Sequence, residues 1–163
     1  MMYIAENEIW KLLETVFDPE IPVLNIVEMG IVREVNLNNN ACEIKITPTY
    51  SGCPAMNTIE NEIIKVLSKA GIKSVKVEKI FTETWTTDWI GQDARNKLRK
   101  YGIAPPEGES ASDFYDNILT KNITCPYCKS TNTELTSEFG STSCKSLHFC
   151  KDCHQPFEHF KCI

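Results

Sequence analysis

Histidine is missing from most of the chain. All three histidines, His148, His154 and His159, lie near its end, so residues 1–122 contain none. A cysteine nucleophile usually depends on an adjacent base, most often histidine. Cysteine hydrolase chemistry in residues 1–122 would therefore require the last segment to fold over the rest, and we do not expect the protein to be an enzyme.

Long apolar runs and an excess of basic residues are also missing. No segment approaches the roughly 20 apolar residues of a membrane-spanning helix, and the N-terminal residues are acidic where a secretory signal would be basic. The net charge of -5 leaves no basic excess of the kind that binds phosphates. We therefore expect a cytoplasmic protein that binds neither a membrane nor a nucleic acid, with a homodimer left open.

The eight cysteines of the chain include two CxxC pairs. Cys125 and Cys128 are separated from Cys150 and Cys153 by 21 residues, a spacing typical of a zinc ribbon. Because cytoplasmic chains seldom form disulfides, we predict one structural zinc bound by four thiolates, with two disulfides as the alternative. Such a site is closed and has no open position for a substrate.

Cys144 and Cys162 belong to the same segment. They are either structural thiols or a second ligand set that includes His148 or His154. We expect the first, because the two CxxC pairs already supply four ligands.

Apolar patterns predict a small αββαβ domain before the cysteine-rich segment. This order implies an α/β or α+β unit, a small sheet with helices packed on it, followed by a C-terminal four-cysteine zinc ribbon. The expected domains are residues 1–106 and 120–163, joined by a linker at 107–119. Predicted helices cover residues 6–17, 54–70 and 93–101, and predicted strands cover residues 31–37, 42–46 and 75–77.

Cys53 is the best candidate for chemistry. It follows Gly52, which frees the loop backbone, and precedes Pro54, which suits the first turn of a helix. Unpaired N–H groups and the positive end of the helix dipole would then favour the thiolate, so we expect an acidic thiol. The alternative is a small buried residue at a helix cap. Cys42, on a predicted strand, is expected to be an inert core residue.

Asp18 and Glu20 flank Pro19 in the loop after the first predicted helix. The ordinary interpretation is a turn with solvated acids. The functional interpretation is a rigid loop that offers carboxylates to a metal near Cys53. Sequence alone does not bring these two loops together.

Three segments resemble the domain shared by SufT and related iron–sulfur assembly proteins: Asp18-Pro-Glu-Ile-Pro22, Asn25-Ile-Val-Glu-Met-Gly-Ile-Val32 and Thr47-Pro-Thr-Tyr-Ser-Gly-Cys-Pro54. This resemblance covers about residues 5–82. With the ribbon segments Glu138-Phe-Gly-Ser-Thr-Ser-Cys-Lys145 and Phe160-Lys-Cys162, nearly the whole chain is similar to the PaaD (PaaJ) family. Members of that family are accessory proteins encoded with the multicomponent phenylacetyl-CoA epoxidase of phenylacetate degradation.

The resemblance implies a role in installing or repairing an iron–sulfur cluster in a protein client, the reductase component of the epoxidase. It implies that Cys53 is the functional cysteine, with Asp18 nearby, and that iron or a cluster binds there transiently. A thiol without a base agrees better with such binding than with turnover. Two alternatives stay open: a structural subunit of the oxygenase complex, and a thiol-dependent enzyme.

Overall fold

The computed structural model describes residues 4–38, 41–106 and 122–161. The chain divides into two compact units, Met1–Trp85 and Thr86–Ile163. None of the helices in the described residues is both long and apolar enough to cross a membrane.

The first unit has the predicted αββαβ order. Its sheet has the strand order β1-β2-β3, in which β1 and β2 are antiparallel and β2 and β3 are parallel. The parallel pair is joined through helix α2, so the unit mixes hairpin and crossover connections. The elements are α1 (Glu6–Leu13), β1 (Val32–Asn38), β2 (Ala41–Ile46), α2 (Ala55–Lys69) and β3 (Ser74–Lys79).

Helix α1 ends earlier than its apolar spacing predicts. The amide of Thr15 donates to Leu12 O at 3.1 Å and that of Val16 donates to Leu13 O at 3.0 Å, so the chain tightens into turns after Leu13. The Thr15 hydroxyl also donates to Leu12 O at 2.6 Å. A side-chain hydroxyl that takes a helix carbonyl in this way competes with continuation of the helix.

Helix α2 begins and ends as its sequence predicts, within one residue. Pro54 lies at the N-cap position and not inside the helix, where its missing N–H costs nothing. Gly71 has a φ of +95° and donates to Ser68 O at 3.0 Å, which closes the C-terminus in the left-handed conformation that glycine allows.

Apolar residues from both helices and the sheet form the core of the first unit. Trp85 is also buried, and its indole Nε1 donates to Met29 O at 2.7 Å, which satisfies the polar atom of this large ring. The fully buried side chains include Ile9, Leu13, Ile44, Ile46, Ile59, Ile63 and Leu67.

The second unit contains a helix and a mixed sheet. The strand order is β4-β7-β6-β5, in which β4 and β7 are parallel and the other neighbours are antiparallel. Helix α3 ends at Gly102, whose φ is +93°. The elements are a short 3₁₀ helix (Thr87–Trp89), α3 (Gln92–Tyr101), β4 (Ile103–Ala104), β5 (Thr133–Ser137), β6 (Lys145–Cys150) and β7 (Pro156–Phe160).

The guanidinium group of Arg95 ties together the segment that precedes the ribbon strands. Its Nε donates to Ile90 O at 3.1 Å, its Nη2 donates to Thr87 O at 3.0 Å, and its Nη1 donates to Pro106 O. Residues 87–106 are therefore held as one piece, which is connected to the ribbon by the pairing of β4 with β7.

The division between the two units falls before the predicted domain end at residue 106. The sequence assigned α3 to the first domain, whereas the structure groups it with the cysteine-rich strands. The predicted linker at 107–119 lies outside the described residues. The domain boundaries therefore stay a prediction.

Candidate functional site

Four sulfur atoms converge in the second unit. The Sγ atoms of Cys125, Cys128, Cys150 and Cys153 all lie within 4.8 Å of one another. The distance between the sulfurs is 3.7 Å for Cys125 and Cys153 and 3.5 Å for Cys128 and Cys150. A tetrahedral zinc with Zn–S bonds of about 2.3 Å requires sulfur separations of about 3.8 Å. The residues predicted from spacing are thus brought together in an arrangement that fits a tetrahedral metal.

The two CxxC pairs adopt the same turn. The amide of Lys129 donates to Cys125 O at 3.0 Å, and the amide of His154 donates to Cys150 O at 2.9 Å. Lys129 and His154 each follow the second cysteine of a pair, and each has a positive φ, 64° and 58° respectively. A left-handed residue that is not glycine costs about 1 kcal/mol or more. The sequence analysis did not predict this backbone strain. The feature of the sequence that could have indicated it is the position of each residue directly after a CxxC pair.

The surroundings of the sulfurs shift the pKa values of Cys150 and Cys153 in opposite directions. N–H groups of Cys153 and Asp152 lower the pKa of Cys150 to about 7. Burial, followed by the neighbouring Cys150 sulfur, raises the pKa of Cys153 to about 12. Four thiolates this close repel one another, so full deprotonation requires a bound cation.

The carboxylate of Asp152 links the two hairpins. It accepts a hydrogen bond from Ser130 Oγ at 2.6 Å and another from Asn132 Nδ2 at 2.7 Å. These two hydrogen bonds lie outside the sulfur cluster, and they hold the second CxxC turn against the first. Such outer contacts orient metal ligands.

Cys144 is buried but does not belong to the four-sulfur group. Its Sγ lies 3.1 Å from Thr142 Oγ1. In the described residues, neither His148 nor His154 joins a second cluster of at least three metal-binding groups. Cys162 lies outside the described residues.

A buried polar cluster on β6 and β7 was not predicted from the sequence. Ser146 Oγ lies 3.0 Å from His148 Nε2 and 3.4 Å from His159 Nδ1. Burial lowers the pKa of His148 to about 4, and burial together with the charge of His148 lowers that of His159 to about 3. Both imidazoles are therefore neutral near pH 7. Alternation along β6 would have placed Ser146 and His148 on one face, but it could not show that this face is buried.

The loop before α2 places the Cys53 thiol at the start of that helix. Cys53 is half-buried; its amide donates to Tyr50 O at 3.2 Å, and its carbonyl accepts from the amide of Met56 at 3.3 Å. The Ala55 amide and the Tyr50 hydroxyl interact with the sulfur. Gly52 has a φ of +80°, which explains the requirement for glycine in this loop.

The Cys53 thiol is less acidic than an ordinary cysteine, and the sequence prediction of an acidic thiol is wrong. Burial raises the pKa of Cys53 most, and the carboxylates of Glu20 and Asp18 raise it further. The hydrogen bond from Ala55 lowers it, as a helix N-terminus should, but does not outweigh burial. The local sequence predicted the helix that follows Cys53, but it could not show that the acids of another loop act on the thiol.

Asp18 and Glu20 lie close enough to Cys53 to act on its charge. Asp18 is buried, and its Oδ1 accepts from the amides of Glu20 at 2.7 Å and Ile21 at 2.8 Å. The loop is closed where the Asp18 amide donates to Leu24 O at 3.0 Å. The two loops are thus within electrostatic reach of each other, and Asp18 is not a solvated acid. Among the described residues, however, Cys53, Asp18 and Glu20 do not form a group of three converging metal ligands.

Two family models match the chain, one on each part. The model described as iron–sulfur cluster assembly protein matches residues 6–79, and the PaaD zinc beta ribbon domain matches residues 110–161. A candidate component of the 1,2-phenylacetyl-CoA epoxidase from Escherichia coli (strain K12) is 46% identical over 157 residues, which cover 96% of this chain and 93% of that protein. The chain belongs to the PaaD family. The resemblance noted from its motifs is confirmed.

Shorter relatives match the first part of this PaaD family member. An Fe-S protein maturation auxiliary factor from Porphyromonas gingivalis (strain ATCC BAA-308 / W83) is 34% identical over 96 residues, 58% of this chain and 90% of that protein. The crystal structure of a DUF59 domain from Bacillus anthracis superposes with a TM-score of 0.54 and 31% identity, over 57% of this chain and 90% of that one. These matches confirm the mixed α and β fold of an iron–sulfur assembly domain.

Proposed function

We propose that the protein is a non-enzymatic maturation factor that assembles or repairs an iron–sulfur cluster in a client protein. The observation that carries the proposal is the position of the half-buried Cys53 thiol at the start of α2, within electrostatic reach of the carboxylates of Glu20 and Asp18. Iron or a cluster is the cargo, held transiently by Cys53 with Asp18 nearby. Membership of a family with an iron–sulfur assembly domain supports this role.

The electrostatic surroundings of Cys53 favour a cationic cargo over a covalent reaction. A thiol whose pKa is raised by burial, and further by two carboxylates, is a poor nucleophile without a base, and residues 1–122 contain no histidine. A cation reverses the effect of the acids, because it attracts the thiolate and the carboxylates together. Binding of iron would therefore release the thiol proton.

The four-cysteine centre is proposed to hold one structural zinc. Its sulfur separations fit the metal, and four protein ligands leave no open coordination position. Zinc here would stabilise the ribbon and take no part in cluster transfer. We keep residues 1–106, 107–119 and 120–163 as the proposed domain, linker and ribbon, in a cytoplasmic protein.

The proposed client is the iron–sulfur reductase component of the phenylacetyl-CoA epoxidase. Support comes from the E. coli relative, whose name assigns it to that epoxidase as a candidate component. The same name favours a second function, a structural subunit of the oxygenase complex. Co-purification with the complete oxygenase at a fixed ratio would support the second function, whereas release after cluster delivery supports the first.

The test is anaerobic reconstitution of the apo-reductase with iron and sulfide, in the presence of wild-type or Cys53→Ser protein. Serine keeps the size of the residue and can cap α2, but it is a poor ligand for iron–sulfur species. We expect the variant to keep its metal content and melting temperature and to lose the ability to restore cluster content and reductase activity. Cys42→Ala, which removes a buried thiol from β2, is the matched control and should retain maturation. Normal cluster content with Cys53→Ser would overturn the proposed mechanism.

A further inference from the structure

A tight turn brings Tyr50 and Cys53 together. The amide of Cys53 donates to Tyr50 O at 3.2 Å, and Gly52, the third residue of the turn, has a φ of +80°. Ser51, the second residue, has no positive φ, so the turn is of type II. The first and fourth Cα atoms of a β-turn lie within about 7 Å of each other. Residues 50 and 53 are therefore neighbours through the backbone geometry of the loop.

The hydroxyl group of Tyr50 forms a hydrogen bond with the Cys53 sulfur. Both residues are half-buried, so the contact is partly shielded from water, and a hydrogen bond to a charged group is stronger in such surroundings. A phenol can donate its proton, whereas a thiolate can only accept one. The hydroxyl is therefore the donor when the sulfur is charged, and the contact stabilises the charged form of Cys53.

The Tyr50 hydroxyl acts against the groups that disfavour the Cys53 thiolate. Burial raises the pKa of Cys53 most, and the charges of Glu20 and Asp18 raise it further, whereas the Ala55 amide and the Tyr50 hydroxyl lower it. The amide belongs to the backbone at the start of α2 and does not depend on the side chain at position 55. The hydroxyl does depend on the residue at position 50, so the choice of tyrosine there affects the thiol directly.

We propose that Tyr50 is a positioning residue of the candidate site, whose hydroxyl holds the Cys53 sulfur and stabilises its thiolate for uptake of the metal cargo. The assignment rests on the proposed function, since the cargo is the iron or cluster that Cys53 would hold. The thiolate, and not the thiol, is the metal ligand, and hydrogen bonds to a ligand orient it and tune its affinity. Loss of the hydroxyl should therefore slow cargo uptake while the ligand itself is kept.

The first measurement is the rate at which iodoacetamide alkylates Cys53 in the full chain at neutral pH, followed by mass spectrometry. Tyr50→Phe removes the hydroxyl and keeps the ring. We expect alkylation to be about threefold slower or more, because less thiolate is present. A variant that only loosened the loop would expose the half-buried sulfur and speed up alkylation. Tyr101→Phe, which removes a hydroxyl from an exposed tyrosine of the second unit, is the matched control and should react at the wild-type rate.

The second measurement is a titration by nuclear magnetic resonance, which does not depend on the access of a reagent. The carbon-13 signal of a cysteine Cβ moves when the sulfur ionises, and the signal of Cys53 is identified by its loss in Cys53→Ser. Its midpoint should lie at higher pH in Tyr50→Phe, because loss of a donor to the thiolate raises the pKa of Cys53. The midpoint should stay in place in Tyr101→Phe. A large fall in the melting temperature of Tyr50→Phe would assign the hydroxyl to the fold and overturn the positioning role.

The rate of cluster restoration in the apo-reductase separates this assignment from the proposed function. Tyr50→Phe should restore the cluster more slowly than wild type, and Cys53→Ser should not restore it. An unchanged alkylation rate and midpoint in Tyr50→Phe overturn the assignment, as does a wild-type rate of restoration when Cys53→Ser fails. If Cys53→Ser restores the cluster normally, the proposed function fails, and the alkylation and titration results still decide whether Tyr50 acts on the sulfur.

Discussion

The charge of Cys53 is decided by residues that are distant in sequence. The helix position favours the thiolate, as the Gly-Cys-Pro order indicates, and the Ala55 amide does lower the pKa. Burial and the acids of the Asp18–Glu20 loop have the opposite effect, and the pKa is raised. A thiol of this kind rests in its protonated form, which lowers its susceptibility to oxidation.

Replacement of Glu20 by Gln should make Cys53 more reactive. Glu20 is the larger of the two acidic influences on the thiol, so loss of its charge lowers the Cys53 pKa and increases the thiolate fraction at a given pH. The measurement is the rate of iodoacetamide alkylation of the Cys53 peptide against pH, by mass spectrometry. The curve should move to lower pH in Glu20→Gln and stay in place in Glu14→Gln, an exposed acid of the same unit. A curve that does not move would show that the charge of Glu20 does not contribute to the raised pKa of Cys53.

At the scale of elements, the sequence predicts those features that depend on patterns of residues close together in the chain. The order αββαβ follows from apolar periodicity, and the four sulfurs follow from two short spacings, so both were predictable. Strand β4 has only two residues, and no periodicity can be read from so short a strand. The left-handed Lys129 and His154 were missed for a related reason, because the turn that requires them is closed by contacts around the sulfur cluster and not by residue preference.

The sulfur cluster should depend on its four cysteines and not on Cys144. Cys125→Ser removes one of the four converging sulfurs, and we expect it to lose the metal and the order of strands β5 to β7, because a structural zinc contributes to folding. Cys144→Ala, a buried thiol outside the group, should keep about one zinc per chain. Metal analysis of the purified proteins decides, and full zinc occupancy in Cys125→Ser would require a different ligand set.

At the scale of the molecule, the two compact units divide before α3. The sequence favoured a domain end at residue 106, because prolines and then an acidic, glycine-containing stretch follow there. The grouping of α3 and β4 with the later strands rests on long-range pairing: Ile103 pairs with Glu158 and Ala104 pairs with His159. The domain end at residue 106 stays a prediction. Pairings of this kind are invisible in a single sequence.

Hydrogen exchange should show which unit contains β4. If a chelator removes the metal proposed for the four-cysteine centre, the amides of Ile103 and Ala104 should lose protection together with β5 to β7, because β4 is paired with β7. The amides of β2 and α2 should remain protected. If residues 103–104 instead keep the protection of the first unit, the domain end at residue 106 is correct.

The parallel pairing of β4 with β7 also sets an order of events during synthesis. The first unit has its strands and helices within Met1–Trp85 and can fold as soon as that stretch has been made. Helix α3 and β4 are made next, but β7, the strand that pairs with β4, comes near the end of the second unit. Until then Ile103, which is buried in the finished protein, lacks the strand beside it. The sheet of the second unit therefore closes around β4 only after β7 has been made.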